Sequence, residues 1–334
     1  MKKKNALYAA AIALVSLLAG CAAGGGGADG GGETEGPDAA GYPADCPSIE
    51  LLVGFSAGGA TDLAFRVLAD ELSTELGKDV RVINAPGGGG SIMINQMLSA
   101  PADGCTLGHS TIPSHLAYLY PEVDAGYTKE DFAFAGAFAV GPQVLTVAAD
   151  SPHQSLDDLV ESAGADGLTA AADSPNGGDA IINAQFADAL GSKITQVIVD
   201  GSAEKVTAVL GGQVDFQNGA LGGVLPSIES GQLRALAIWS PERSDALPDV
   251  PTAREQGIDV VAETKYALMM PADVPEDVRQ VLEETLATIT EKQSFQDDLA
   301  NLGIPTQFQT GEEYSTTWDE MAETVQAIDF DSLN

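Results

Sequence analysis

Gly54-Phe55-Ser56-Ala57-Gly58 is the stretch of this chain whose residue types and spacing come closest to a catalytic template. It has the form G-x-S-x-G, set between a strand-like run, Ile49–Val53, and a helical repeat of Ala64, Leu68, Leu72 and Leu76. A serine on such a strand-to-helix turn can serve as the nucleophile of an esterase. That chemistry needs a histidine late in the chain and an oxyanion hole supplied by earlier strands. The three histidines, His109, His115 and His153, all precede the C-terminal half, and Ile49–Val53 is the first strand. A serine hydrolase is therefore the weaker reading of this turn.

Anion capture is the stronger one. Ser56-Ala57-Gly58-Gly59-Ala60 leads straight into the helix, and a second strand, Val80–Ile83, runs into Pro86 and four glycines, Gly87–Gly90. The first N–H groups of a helix have no intrahelical partner and lie at the positive end of its dipole. Strand, small-residue loop and helix together form a concave site for an anion. Dinucleotide chemistry is not indicated, because Ile92 occupies the last glycine position of G-x-G-x-x-G. Gly58-Gly59 lacks the lysine and serine of a phosphate-binding loop. No cofactor or metal site is expected.

The remaining elements repeat this arrangement. Thr106–His109 reads as a strand ending in Ser110-Thr111, and Ser91–Leu98 as a short helix. Phe132–Ala139 and Gln143–Ala148 are strand-like, and Ser155 N-caps a helix to Ser162. Then Leu168–Ala172 is followed by Asp173–Gly178 and a helix Ala180–Leu190. Ile194–Val199 leads to Asp200-Gly201-Ser202-Ala203 and a helix, and Val214–Gln217 to Asn218-Gly219-Ala220. Leu233–Ile238 and Val260–Met270 are extended, and Pro275–Glu291 and Tyr314–Ala327 are amphipathic helices. Two similar α/β units facing a cleft, with ligand groups at strand C-termini, follow from this order.

The chain has 334 residues, and Asp+Glu 49 against Lys+Arg 15 gives a formal net charge of −34, which argues against nucleic acid as a partner. Lys2-Lys3-Lys4, an apolar Ala6–Leu18 and Leu18-Ala19-Gly20-Cys21 have the form of a signal peptide. The ending resembles a bacterial lipobox, which implies cleavage before a lipidated Cys21 and attachment to the cell membrane from outside the cytoplasm. Residues 22–46, glycine-rich and without apolar periodicity at least to Asp45, read as a flexible tether with a span on the order of 25–30 Å. Cys46 and Cys105 could pair as a disulfide in that compartment or remain two buried thiols.

Taken together, the motifs resemble the substrate-binding proteins of tripartite tricarboxylate transporters, the Bug family. Phe55-Ser56-Ala57-Gly58-Gly59-Ala60-Thr61-Asp62 is similar to the family's F-P-P-G-G-x-T-D loop, and Asn84-Ala85-Pro86-Gly87-Gly88-Gly89-Gly90 to N-x-P-G-x-G-G. Ala102-Asp103-Gly104-Cys105-Thr106-Leu107 resembles P-D-G-Y-T-L. Gly201-Ser202-Ala203, Leu210–Asp215, Leu233–Ala237 and Leu247–Thr252 follow in the family's order. The resemblance implies a two-lobed type II periplasmic-binding-protein fold, α/β in class, with lobe one at residues 47–143 and 266–334 and lobe two at residues 144–265.

It further implies a monomeric receptor, not an enzyme, that delivers a small organic carboxylate to membrane permease subunits; a signalling receptor is the alternative to transport. Phe55, Ser56, Ala57, Gly58, Gly59, Ala60, Thr61, Asp62, Gly88, Gly89, Gly90 and Ser91 would hold one end of the ligand. Ser110, Thr111, Asn176, Gly201, Ser202, Asn218, Gly219 and Ala220 would approach from the rest of the cleft. Ser56 and Ala57 replace the family's two prolines, and Lys265 or Lys205 is a candidate for the cleft's positive charge.

Overall fold

The computed structural model describes residues 41–120, 124–164, 167–175, 177–199 and 201–328. The signal segment, Cys21 and most of the tether lie outside the described residues. β1 (Ile49–Val53) pairs in parallel with β2 (Val80–Asn84) on one side and β3 (Thr106–Ile112) on the other. Its nearly continuous apolar run suits a strand covered on both faces. α1 (Ala60–Leu76) makes the crossover from β1 to β2, burying Ala64, Phe65, Leu68, Ala69 and Leu72 and ending at Gly77 in the left-handed region. α2 (Ser91–Leu98) connects towards β3.

β4 (Phe132–Ala148) crosses the molecule as one strand through Gly141-Pro142, where the sequence pattern suggested two. α3 (Leu156–Ser162) is N-capped by Ser155, as expected. The second half repeats the first: β5 (Leu168–Ala172) pairs in parallel with β6 (Ile194–Ile198) and β7 (Phe216–Ala220). α4 (Gly178–Leu190), α5 (Ser202–Leu210) and α6 (Leu221–Glu229) follow β5, β6 and β7. β8 (Leu233–Ile238) pairs with the end of β4, and β9 (Glu263–Pro271) returns antiparallel to both β3 and β4. The chain finishes with α7 (Glu276–Glu291), α8 (Gln293–Ala300), β10 (Thr306–Thr310) and α9 (Gly311–Gln326). Of these, α8 and β10 carried too short a pattern to be read from sequence.

The strand order β2-β1-β3-β9-β4-β7-β5-β6 places the crossing strands β9 and β4 in the middle. Residues 132–142 of β4 pair with β9, and residues 143–148 pair with β7 and β8, so the strand changes partners at Gln143. Separate apolar clusters lie on each side of that change: Leu51, Phe65, Phe138 and Leu282 mark one, and Leu159, Phe186, Phe216 and Trp239 another. Two strands are placed differently from the sequence reading. β3 continues through Ser110 and Thr111, and β7 includes Asn218, Gly219 and Ala220, segments the local pattern assigns to loops. The physical reason is the crossing strands: Thr111 pairs with Tyr266, and Gly219 with Val144, giving these backbones ladder partners that come from far along the chain.

The last tether residues are folded onto the body. Tyr42 packs against the first cluster, and Lys78 Nζ donates to the carbonyls of Ala44 (2.8 Å) and Cys46 (2.9 Å). Cys46 is disulfide-bonded to Cys105 across a separation of 59 residues. A loop of that length corresponds to roughly 4 kcal/mol in the chain-entropy account. Replacing both cysteines by serine is expected to lower unfolding free energy by up to about this amount. Denaturant titration of the two proteins, read as a shift in midpoint at constant slope, checks it.

Candidate functional site

A cavity of about 590 Å³ opens where the helix starts of both halves meet the crossing strands. Residues 55–61 form one wall, and Gly178, Gly201, Ser202 and Ala220 contribute to the other. Gln143 of β4 and Glu263, Thr264 and Tyr266 of β9 line it from the crossing strands, and Met321 and Thr324 of α9 also contribute. The two halves come close at the rim. A Cβ built on Gly201 would lie 3.9 Å from Ser56 Oγ, and one on Gly223 would lie 3.7 Å from the Ala60 nitrogen.

Three helix starts at the cavity are capped by glycine. α1, α4 and α5 are N-capped by Gly59, Gly177 and Gly201, with no side-chain hydrogen bond at the cap. Away from the cavity, α3 and α9 carry Ser155 and Thr310 in complete capping boxes, whereas α7 and α8 also lack a side-chain cap. Side-chain caps satisfy orphan N–H groups, so their absence at the cavity leaves those donors for another acceptor.

The wall of residues 55–61 is braced by Asp62 from behind. Its carboxylate accepts the Gly58 N–H (2.8 Å), two guanidinium bonds from Arg66 (2.9 and 2.8 Å) and the Asn84 amide (2.8 Å). Asn84 also donates to the Phe55 carbonyl (2.9 Å). Burial opposes the charge of Asp62, but Arg66, Gly58 and Asn84 outweigh it and hold the carboxyl below its usual range. Behind Phe55 lie two imidazoles, His109 and His115, with ring centroids 4.6 Å apart. His109 Nδ1 accepts the Gly54 N–H and His115 Nδ1 the Thr111 N–H. Gly90, at φ +101°, passes so close that a Cβ there would lie 2.5 Å from His115 Nε2.

Of the residues singled out from sequence, Phe55, Ser56, Ala57, Gly58, Gly59, Ala60, Thr61, Thr111, Gly201, Ser202 and Ala220 line this cavity together. Asp62, Gly88, Gly89, Gly90, Ser91, Ser110, Asn218 and Gly219 do not. Ser110 shares a hydrogen bond with the Tyr314 hydroxyl (2.9 Å). Asn218 is held by Asn183 (2.8 Å) and by the Trp239 indole (2.6 Å), so its side chain is part of the wall's interior. Asn176 lies outside the described residues. Lys265 Nζ donates to Gln307 (2.9 Å) and does not line the cavity.

Lys205 does line it, but it is 4% exposed and bonded to Asp179 Oδ2 (2.5 Å) and the Asn218 carbonyl (3.2 Å). Burial raises the Asp179 carboxyl to about 6, with Lys205 pulling it down and Asp173 pushing it further up. Burial likewise opposes the Lys205 charge, but Asp179 and Asp173 together keep it protonated. Gln143, Tyr266 and Asp179 escaped the sequence reading. The first two sit in crossing strands whose role appears only with the sheet, whereas Asp179 directly follows the Gly177-Gly178 helix start and had a legible signal there.

Two α/β halves, joined by crossing strands and presenting glycine-capped helix starts to a shared cavity, define a two-lobed solute-binding protein of the periplasmic type. Residues 64–328 match the tripartite tricarboxylate transporter family receptor model. The chain is 36% identical over 238 residues to protein BugT of Bordetella pertussis, covering 69% of this chain and 72% of that one. Its fold matches a solved periplasmic transporter with a TM-score of 0.79 and 27% identity, covering 86% of this chain and 99% of the other. It also matches R. palustris Rpa4515, determined with adipate, at a TM-score of 0.78 and 24% identity over 84% of this chain and 97% of that one. The chain belongs to the tripartite tricarboxylate transporter receptor family, whose members are extracytoplasmic. Among the described residues no helix is long and apolar enough to cross a membrane.

The buried imidazoles generate a test of this wall. Burial depresses His115 to about 3, and His109 is pushed well below its usual value by burial and by His115. The unfolded chain takes up these protons below about pH 6.5 and the folded chain does not, so their contribution is present above that pH and lost on acidification. His115→Gln is expected to reduce the loss of unfolding free energy between about pH 7 and 5 by about 2 kcal/mol. Denaturant unfolding at the two pH values, wild type against variant, reads that difference directly.

Proposed function

We propose that this receptor captures a small organic carboxylate in the cavity and presents it to the permease subunits of a tripartite transporter. The observation that carries the reading is convergence: three glycine-capped helix starts, none with a side-chain cap, meet at one cavity. A carboxylate placed there accepts from backbone N–H groups and the Ser56 and Ser202 hydroxyls. The adipate of the R. palustris neighbour is a ligand of this class on the same fold. Lobe boundaries at residues 47–143 with 266–334, and 144–265, accord with the change of partners along β4. Closure is a hinge motion through the crossing strands near Val144 and Tyr266, favoured by a ligand that touches both walls.

The serine of G-x-S-x-G takes the role of a hydrogen-bond donor in this reading. Ser56 is exposed at the cavity mouth, and among the described residues neither His109 nor His115 hydrogen-bonds to it. The lipobox at Cys21 supports attachment to the outer face of the cell membrane by its acyl chains, and the receptor works as a monomer.

A thermal-shift screen of mono-, di- and tricarboxylates, aromatic acids and amino acids tests the reading. A binder at a hundredfold excess over its Kd should stabilise the protein by about 2.7 kcal/mol. Ser56→Ala is expected to weaken that ligand about tenfold to a hundredfold, the effect of one hydrogen bond to a charged group. Hydrolysis of a simple ester that disappears in Ser56→Ala would overturn the assignment in favour of an esterase.

A further inference from the structure

The two walls of the cavity differ in charge. Residues 55–61, Thr111, Pro113 and Ser114 line it from the first half without a charged group. From the second half come the carboxylates of Asp173, Asp179, Glu204 and Glu263, and Lys205 is the one cation among the described lining residues. That cation is already engaged. Lys205 bonds Asp179, and the Asp179 carboxylate accepts the Asp173 N–H as well. Asp173 acts electrostatically on both partners of the pair. Two carboxylates therefore share one ammonium, and the cluster lacks one positive charge.

A second, independent observation concerns neutral groups. Thr111, Gln143 and Tyr266 are 1%, 7% and 0% exposed, line the same cavity, and each keeps a polar side-chain atom without a partner. Gln143 Nε2 donates to Thr264 Oγ1 (2.6 Å), which leaves its unpaired Oε1 as a pure acceptor. Buried polar atoms of this kind are ordinarily hydrogen-bonded. The Thr111 and Tyr266 hydroxyls can donate or accept, whereas Gln143 Oε1 can only accept and calls for a ligand that brings a donor. A dicarboxylate offers acceptors at both ends and would set its second anion against the carboxylate-bearing wall.

We propose that the ligand is an amino-carboxylate: its carboxylate meets the uncharged wall at Ser56, and its ammonium completes the Asp173–Asp179–Lys205 cluster. This rests on the carboxylate-receptor reading and narrows it. A zwitterion leaves the cavity's charge closer to balance, whereas an acid without nitrogen adds to the excess of negative charge. Asp173 is then the residue that selects amino acids over diacids. It is half-buried, and its replacement leaves the Asp179–Lys205 pair in place.

Calorimetric titration of the folded body with matched sets tests this: 2-aminobutanoate and 4-aminobutanoate against butanoate and succinate, and the five-carbon equivalents. The expected result is at least one amino acid binding tenfold or more tightly than its nitrogen-free counterparts. Asp173→Asn should remove most of that preference, and an unchanged melting temperature without ligand shows that the variant is folded. Equal or tighter binding of the nitrogen-free acids, or an unaltered preference in Asp173→Asn, overturns the proposal while leaving the carboxylate receptor standing. Failure of every carboxylate in these sets and in the wider screen overturns both.

Discussion

The antiparallel ladder between β4 and β9 is the constraint on which the cavity depends. Each of these strands runs past the boundary between the two halves, so the backbone hydrogen bonds that close one sheet also fix the position of the other. Val140 opposite Lys265 and Pro142 opposite Glu263 lie just before β4 transfers to β7 and β8. The residues at that transfer, Gln143, Glu263, Thr264 and Tyr266, line the cavity from the crossing strands. A ladder of this kind resists sliding, because a shift of one residue would exchange the two faces of every strand in it. Rotation about the few residues between the halves is cheaper, and this is the motion that a two-walled ligand site requires.

Within that frame the walls are made rigid by means that the ligand does not touch. Asp62 is spaced like a member of the binding loop, yet its carboxylate faces Arg66 and Asn84 and holds residues 55–58 in shape from the rear. The four glycines at residues 87–90 have the same kind of role. All have positive φ, and Gly54 and Gly90 pack so closely that a Cβ on Gly54 would fall 2.8 Å from the Gly90 Cα. Small residues are needed there for backbone contact with the His109–His115 pair.

Local pattern was enough to find the units and too little to orient their side chains. The apolar run of β1, the stripe of α1 and the serine cap of α3 were legible because each is set by residues within a few positions of one another. Residues 110–111 and 218–220 read as loops because their strand partners, β9 and β4, are distant in sequence. The same holds for the buried Lys205. Its spacing shows a lysine in the first turns of a helix, a position that is most often solvated. Only the tertiary structure, which sets Lys205 of α5 beside Asp179 of α4, reveals that Asp179 occupies its charge.

Charge is also where the whole-chain composition and the cavity agree. A formal net charge of −34 produces a field that repels an approaching anion at long range. At physiological ionic strength that field decays over about 8 Å, so it governs the approach more than the bound state. At the cavity the starts of α1, α4 and α5 present backbone N–H groups that are fixed in place by the fold and carry no net charge. Such dipoles stabilise one carboxylate at short range without adding a cation that would compete with Asp179 for its partner. In the proposed reading such dipoles hold the anion while the surface stays acidic, and the carboxylates of the second wall select what the other end of that anion carries.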